Sequence, residues 1–309
     1  MYDGSRNNSS NNKTNTLGYI MLLTTGTLWG MTGFFTNLIG RFGGGADISS
    51  FFKELGALFV MSALFPLIGG RHLRISRRGL GLATAQGVLT QCVFVYGYIT
   101  AISLVGMSTA AVLLYTSPVF VAVMSRILFK EAITRNKVIA LIINLIGCAL
   151  TVTGGSWDLS GVSARGVLWG LVAGVCYGTL PIFSRLAGER DDPRAISYYA
   201  TLSGFLAITL VIRPWQVTGV NYCGKLWLVV LAFGLVGTAI PYLLYVSGVQ
   251  HLTEVSRAPV IASVENVSAA VIGVLLFHEV MTPLKALGIV LVLCSVALMN
   301  RKTPAEAGK

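Results

Sequence analysis

Long apolar runs separated by short polar connections fill the chain between residues 17 and 300. An α-helix needs about 20 mainly apolar residues to cross the hydrocarbon core of a bilayer. The connections hold much of the Gly, Pro, Asn and charged content, as expected of loops. The pattern predicts an all-α integral membrane protein with ten transmembrane helices, at about 17–40, 48–69, 79–101, 107–129, 136–153, 164–187, 195–212, 225–247, 254–277 and 283–300.

Composition agrees with a membrane protein. The 309 residues are 54% hydrophobic and 11% charged, whereas a soluble domain carries about 25% charged residues. The net charge of +11 comes from short basic clusters between apolar runs. This placement fits a membrane topology signal better than a nucleic-acid surface, so no nucleic-acid partner is predicted. The scattered cysteines and the distant His72, His251 and His278 favour neither a disulfide framework nor a metal site.

The two ends of the chain are polar. Residues 1–16 contain the run NNSSNNKTNT, and such a composition predicts a disordered tail. Residues 302–309 form a second polar tail. The apolar run that begins near Leu17 is longer than the core of a signal peptide, so it is predicted to be a retained membrane span.

A shift of 148 residues reveals an internal repeat, with a first copy at 17–154 and a second at 164–301. GTLWGMTGFFTNLIG (26–40) aligns with GVCYGTLPIFSRLAG (174–188), and VFVAVMSRILFKEAIT (119–134) aligns with VSAAVIGVLLFHEVMT (267–282). Each copy holds five predicted spans, so the second copy enters the membrane in the opposite orientation. Such inverted repeats are typical of secondary transporters, whose substrate site lies at the repeat interface near the bilayer centre.

The basic residues indicate which side of the membrane each loop faces. If the N-terminus is cytoplasmic, most Lys and Arg residues lie in cytoplasmic segments, as the positive-inside rule requires. Both termini are therefore predicted to be cytoplasmic. The main cytoplasmic clusters are Arg71, Arg74, Arg77 and Arg78; Lys130, Arg135 and Lys137; and Arg185, Arg190 and Arg194.

The two repeats, together with TSPVFVAVMSRILFKEAIT (116–134) and SVENVSAAVIGVLLFHE (263–279), resemble the EamA type of the drug/metabolite transporter superfamily. The resemblance covers nearly the whole chain. It implies a transporter, commonly an exporter of amino acids, related metabolites or drugs, with proton coupling in several relatives. Relatives often carry proline after the acid of the ninth span. Asn266 stands there in this chain, which removes the proline-specific reason for a helix break.

Glu265 is the leading candidate functional residue. It lies 11 residues into the ninth predicted span, about 16 Å deep at helical rise, near the midplane of a ~30 Å core. An ionisable group at that depth is a functional candidate that faces a cavity or a partner. Glu265 is predicted to carry the coupled proton, to bind a substrate ammonium group, or both. The alternative is a structural hydrogen bond to Tyr or Ser on a neighbouring span.

Polar residues near the repeat centre extend the predicted site. Ser117 is the repeat equivalent of Glu265, and Pro118 after it frees the backbone carbonyl of Leu114. These groups are predicted to contact substrate, although a simple packing kink explains the proline equally well. Asn266 faces either another helix or the edge of the cavity.

Aromatic residues form a second predicted set. A tyrosine hydroxyl deep in the bilayer needs a partner, which a wet cavity supplies. Any one of these residues could instead be a packing residue. The set comprises the repeat equivalents Trp29 and Tyr177, with Tyr96, Tyr98, Tyr115, Tyr242 and Tyr245.

Other charged residues and glycines have simpler interpretations. Lys53 and Glu54, early in the second span, are a candidate outer gate, because Glu54 needs a partner there. The repeat equivalents Glu131 and Glu279 are predicted to cap the helix that follows each of them. The glycines at every fourth position from Gly166 to Gly178 favour close helix contacts rather than a phosphate site.

The sequence therefore predicts a transporter of a bacterial cytoplasmic (inner) membrane that works by alternating access. Its predicted activity is export of a small metabolite, with an amino acid or related compound as the leading substrate class, in exchange for protons. A multidrug exporter or an importer on the same fold stays open; an intramembrane enzyme is a remote alternative. The predicted partners are the small-molecule substrate, protons and the lipid bilayer, a homo-oligomer stays open, and no cofactor is predicted.

Overall fold

A computed structural model describes residues 4–68, 73–156 and 163–299. These residues form α-helices joined by short connections, and no strand occurs among them. The first half contains α1 (Gly4–Trp29), α2 (Thr32–Gly40), α3 (Ala46–Ile68), α4 (Arg77–Gly87), α5 (Phe94–Val105), α6 (Met107–Leu114), α7 (Ser117–Leu128) and α8 (Arg135–Thr153). The second half contains α9 (Ala164–Gly188), α10 (Pro193–Ile212), α11 (Gly224–Phe233), α12 (Ile240–His251), α13 (Ala258–Ala262), α14 (Val264–Phe277) and α15 (Pro283–Met299).

Two π-helical segments occupy similar places in the two halves. Val88–Val93 joins α4 to α5, and Gly234–Ala239 joins α11 to α12. A π-helical turn widens the backbone locally and is frequent at functional sites. Both segments fall inside continuous apolar spans.

Eight helical stretches in the described residues are long and apolar enough to cross a membrane. The predicted spans at 17–40 and 283–300 are not among these eight stretches. The first is divided into α1 and α2 by a turn at Gly30 and Met31, and the second is the 17-residue apolar helix α15. The fold class is an all-α integral membrane protein.

The N-terminal segment differs from its prediction. Residues 4–16 continue α1 without a break, where the sequence predicts a disordered tail at residues 1–16. Extending an existing helix adds one hydrogen bond for each residue fixed and avoids the cost of nucleation. The apolar part of α1 can therefore carry a polar extension. Residues 1–3 and 302–309 lie outside the described ranges.

Both repeats carry a broken helix at the same place. The turn at Tyr115 and Thr116 separates α6 from α7, and Ser263 separates α13 from α14. Each break has a hydroxyl that donates back to a carbonyl three residues earlier, Thr116 to Leu113 and Ser263 to Val260, both at 2.6 Å. Such bonds compete with the regular helical pattern. The second break therefore forms without a proline at position 266.

The last helices of the two repeats, α8 and α15, pack along one another in opposite directions. The Asn144 amide donates to the Ser295 hydroxyl at 3.0 Å. Further along, Gly147 lies against Val292, and Thr151 lies against Gly288. Residue numbers rise along α8 as they fall along α15, so these equivalent helices run antiparallel.

The glycines shared by the repeats make equivalent contacts. Gly26 on α1 lies against Ala262 and Glu265 at the break between α13 and α14. Gly174 on α9 lies against Leu113 and Leu114, just before the break between α6 and α7. The prediction that these glycines serve close helix contacts is confirmed.

Alanine substitution should affect stability differently at the two glycines. A Cβ atom on Gly26 would lie 2.5 Å from the Ala262 carbonyl oxygen, whereas one on Gly174 would lie 3.1 Å from its nearest neighbour. We expect Gly26→Ala to lower the free energy of unfolding by about 1–3 kcal/mol through overpacking. Gly174→Ala should change it by less than ~1 kcal/mol, because the gain in helix propensity offsets the tighter contact. Thermal unfolding in detergent measures both, and equal losses would contradict the prediction.

Candidate functional site

Glu265 lies in the first turn of α14, directly after the helix break, and is half-buried. Its Oε2 atom accepts a hydrogen bond from the Tyr177 hydroxyl of α9 at 3.4 Å. Its backbone lies against Gly26 of α1 and Gly30 in the turn after α1. The carboxylate therefore stands where helices of both repeats meet. The hydrogen bond required by the structural alternative is present, and it leaves the other carboxylate oxygen able to bind a proton or a cation.

Several aromatic rings lie close together beside Glu265. The ring of Trp29 lies 6.2 Å from the rings of Tyr177 and Tyr242, and 5.3 Å from that of Tyr245. We call Trp29, Tyr177, Tyr242 and Tyr245 the aromatic cluster. Trp29 and Tyr177 are repeat equivalents, so equivalent positions of the two repeats meet within the aromatic cluster.

Phe94 extends the aromatic cluster and was missed by sequence reasoning. Its ring lies 5.4 Å from that of Tyr177 and 5.9 Å from that of Tyr98. The signal that could have found it is the four-residue spacing between Phe94 and Tyr98, which places both side chains on one helix face.

Two further predicted tyrosines lie near the carboxylate. Tyr98 and Tyr115 are close enough to Glu265 for electrostatic interaction. Asn266 is buried and donates to the Cys148 sulfur at 3.3 Å, so it faces α8 rather than the edge of a cavity.

The structure does not gather every predicted residue at Glu265. Tyr96 is 51% exposed and packs edge-on against Trp169 at 5.5 Å. It lies two residues from Tyr98, about 200° around the helix, so the two cannot share a face. Ser117 is buried in the first turn of α7, with its backbone near Gly178 of α9. It therefore occupies the place in the first broken helix that corresponds to Glu265 in the second.

Lys53 and Glu54 lie beside the aromatic cluster. The Lys53 ammonium nitrogen is 3.2 Å from the Glu54 Oε1 atom, and the Glu54 side chain is only 1% exposed. Glu54 is also close enough to Tyr242 for electrostatic interaction. Glu54 therefore lies within electrostatic range of the aromatic cluster.

The caps of α8 and α15 are threonines. The backbone amide of Lys137 donates to the Thr134 hydroxyl at 3.3 Å, and that of Lys285 donates to the Thr282 hydroxyl at 3.2 Å. The prediction that Glu131 and Glu279 cap these helices is therefore wrong. A threonine at the N-cap position already satisfies the orphan amide.

Glu131 instead binds the opposite repeat. Its carboxylate accepts hydrogen bonds from the backbone amides of Val255 and Ser256 and from the Ser256 hydroxyl. These amides begin the helical turn that leads into α13 and α14. A loop of the first repeat thus holds the start of the helix pair that carries Glu265.

Four charged side chains join at this place, and we call Glu131, Lys137, Glu254 and Arg257 the charge network. The Lys137 nitrogen lies 2.7 Å from the Glu254 Oε1 atom and 3.5 Å from Glu131. Arg257 lies 2.6 Å from the Glu254 Oε2 atom. The equivalent place in the second repeat has the pair of Lys285 and Glu279, with Glu279 52% exposed. The charge network is therefore not repeated at the equivalent place in the second repeat, which has a single ion pair.

Metal ligands do not cluster in the part of the chain that the structure describes. No three His, Cys, Asp or Glu side chains there lie close enough together to hold an ion.

Comparison with known proteins identifies the family. The sequence profile of the EamA-like transporter family matches residues 16–153 and 164–301. The chain belongs to the EamA-like transporter family. An uncharacterized transporter of Archaeoglobus fulgidus is 30% identical over 84% of this chain and 88% of that protein. An uncharacterized transporter of Synechocystis is 25% identical over 76% of this chain and 71% of that protein.

A solved structure agrees with the fold of this transporter. One crystal structure superposes with a TM-score of 0.79 at 17% identity, covering 92% of this chain and 96% of that chain. Family and relatives indicate a multi-pass membrane transporter rather than an enzyme. The two profile matches correspond to the two repeats.

Proposed function

We propose that this protein is a secondary active transporter that exports a small metabolite, with an amino acid or related compound as the leading substrate class, in exchange for protons. The observation that carries the proposal is Glu265. It is an acid at a helix break inside an apolar span, it bonds to Tyr177 of the same repeat and packs on α1 of the other, and the aromatic cluster lies next to it. An intramembrane acid so placed is a candidate site for protons or substrate.

The proposed topology has ten spans in two inverted repeats, with both termini in the cytoplasm of a bacterial cell. The antiparallel packing of the equivalent helices α8 and α15 supports it. So do the matched breaks after α6 and α13. Two copies related by an axis in the membrane plane would produce both features.

In the proposed mechanism Glu265 binds a proton from one side of the membrane, and the aromatic cluster next to it binds cargo from the other. Protonation of a carboxylate oxygen removes the charge of Glu265 and lowers the affinity of the site for cargo. Release of the proton to the opposite side restores the charge and the affinity for cargo. The aromatic cluster binds the apolar part of the cargo, while movement of the repeats against one another alternates access.

A multidrug exporter is the second candidate. Four aromatic rings beside one carboxylate can bind varied hydrophobic cations, because ring faces attract positive charge and do not require a fixed hydrogen-bond pattern. A wide range of transported cations with little preference among them would favour this candidate over the metabolite exporter.

Transport into proteoliposomes tests the proposal. The purified protein should move at least one amino acid or related compound against its gradient when a pH difference is imposed, and should stop when a protonophore removes that difference. Protein-free liposomes set the background. Uptake that is insensitive to the pH gradient would contradict proton exchange, and no flux above background for the whole panel would contradict export of this substrate class.

A further inference from the structure

Glu54 lacks the partners that a buried carboxylate needs. Its side chain is 1% exposed, and neither carboxylate oxygen has a hydrogen-bond partner among the described residues. The Lys53 nitrogen lies 3.2 Å from Oε1, outside hydrogen-bonding alignment. A buried charge is costly unless it is both paired and hydrogen-bonded. The Glu54 carboxylate can therefore accept hydrogen bonds that no donor among the described residues supplies.

The two π-helical segments carry further buried polar groups, and the second segment contacts the Lys53 side chain. Thr238, in the second segment, is buried, and its hydroxyl also has no partner in the described chain. It follows Gly237, which lies against the Lys53 side chain. The Tyr242 hydroxyl lies 3.1 Å from the Thr90 hydroxyl of the first segment.

Lys53 indicates which kind of group this place accepts. Its side chain is 18% exposed, and its ammonium group lies at the Glu54 carboxylate on a flexible stem. A lysine side chain is in effect a primary amine tethered to the protein. Because the pair is not aligned as a hydrogen bond, a free ammonium group could bind Glu54 with better geometry.

We propose that Glu54, Thr238 and Tyr242 form a binding site for a primary ammonium group, R–NH3⁺, which Lys53 occupies when cargo is absent. The ammonium donates to the Glu54 carboxylate and the Thr238 hydroxyl, and the carbon skeleton reaches the aromatic cluster through Tyr242. The site lies apart from Glu265, which is thereby left to the proton. This inference rests on the proposed function in one respect, which is that the ammonium group belongs to the transported cargo.

Opposite effects of two substitutions test the site. The assay measures the rise in unfolding temperature of the purified protein in detergent at pH 7 with phenethylamine or phenylalanine as the amine, and with phenethyl alcohol as the uncharged control. Lys53→Gln should lower the half-maximal amine concentration about tenfold, as expected if the tethered amine fills the site about 90% of the time. Glu54→Gln should abolish the response. General damage to the fold would weaken binding in both variants.

Further variants keep the test decisive. Thr238→Val preserves shape and both charges, and should weaken the response if Lys53→Gln does not fold. Glu279→Gln, which makes the same change at an exposed carboxylate, should leave amine binding intact. Amine binding that is lost in Glu265→Gln and kept in Glu54→Gln would place the ammonium at Glu265 and overturn the proposal. A response to either amine that is strengthened by Lys53→Gln and lost in Glu54→Gln supports the site. Phenylalanine carries a carboxylate that phenethylamine lacks, so comparison of the two shows whether the site tolerates that group. No response to either amine, or one that ignores Lys53 and Glu54, overturns it without affecting the transport assay.

Discussion

Glu265→Gln is expected to abolish proton-driven accumulation while leaving a folded protein. The amide keeps the shape of the side chain and can still accept the bond from Tyr177, but it cannot bind and release a proton. One proton exchanged for one substrate lets a pH difference of one unit sustain a substrate ratio of about ten, because both correspond to ~1.4 kcal/mol. In the variant this ratio should fall to one.

Flux measurements in proteoliposomes compare the variant with wild type under imposed and dissipated pH gradients. Glu279→Gln is the matched control, since it makes the same change at an exposed position just beyond the end of α14. It should transport as wild type does. Accumulation by Glu265→Gln that still follows the pH gradient would remove Glu265 from the coupling mechanism.

Glu131→Ala should have the largest effect on stability. The substitution leaves the backbone amides of Val255 and Ser256 without their acceptor, and removes one of two carboxylates that face the buried Lys137. Breaking a buried ionic arrangement by removing one partner costs about 3–5 kcal/mol. The midpoint of thermal unfolding in detergent should fall accordingly.

The repeat provides the control for this prediction. Glu279→Ala removes the equivalent acid, which is half-exposed and bonded to Lys285 at 3.1 Å. An exposed pair contributes less than about 1 kcal/mol, so this variant should unfold close to the wild-type temperature. Similar losses in both variants would show that the carboxylate acts through the local loop alone and not through the opposite repeat.

Much of the fold follows from the sequence because membrane helices are set by local composition. Apolar runs predicted most spans, and the matched Gly26 and Gly174 revealed the repeat and its contacts. The π-helical segments could not be predicted, because an extra residue in a turn leaves an apolar run unchanged. The break at Ser263 was not expected either, since it depends on a hydroxyl that turns back to Val260 and accepts from Asn144 on another helix.

The site was predictable where one residue stood out against its surroundings. Glu265 is an acid in an apolar span, and Trp29 and Tyr177 could be paired through the repeat. Tyr96 shows the limit, because an aromatic residue in a span carries no information about the direction its side chain faces. Glu131 shows a second limit of prediction from sequence. Its partners Val255 and Ser256 are 124 and 125 residues away and donate through backbone amides, so their side chains do not indicate the contact.

The packing of α8 on α15 has the geometry of an isologous homodimer interface. Under the repeat shift, the contact of Asn144 with Ser295 becomes that of Gly147 with Val292, and both are present. One surface patch therefore binds its own copy about a two-fold axis, as in a symmetric dimer. A single unit equivalent to one repeat and carrying this patch could bind a second copy of itself in the same antiparallel arrangement. Fusion of two such units into one chain would free each copy to change alone, and that is how only one of them could come to carry Glu265.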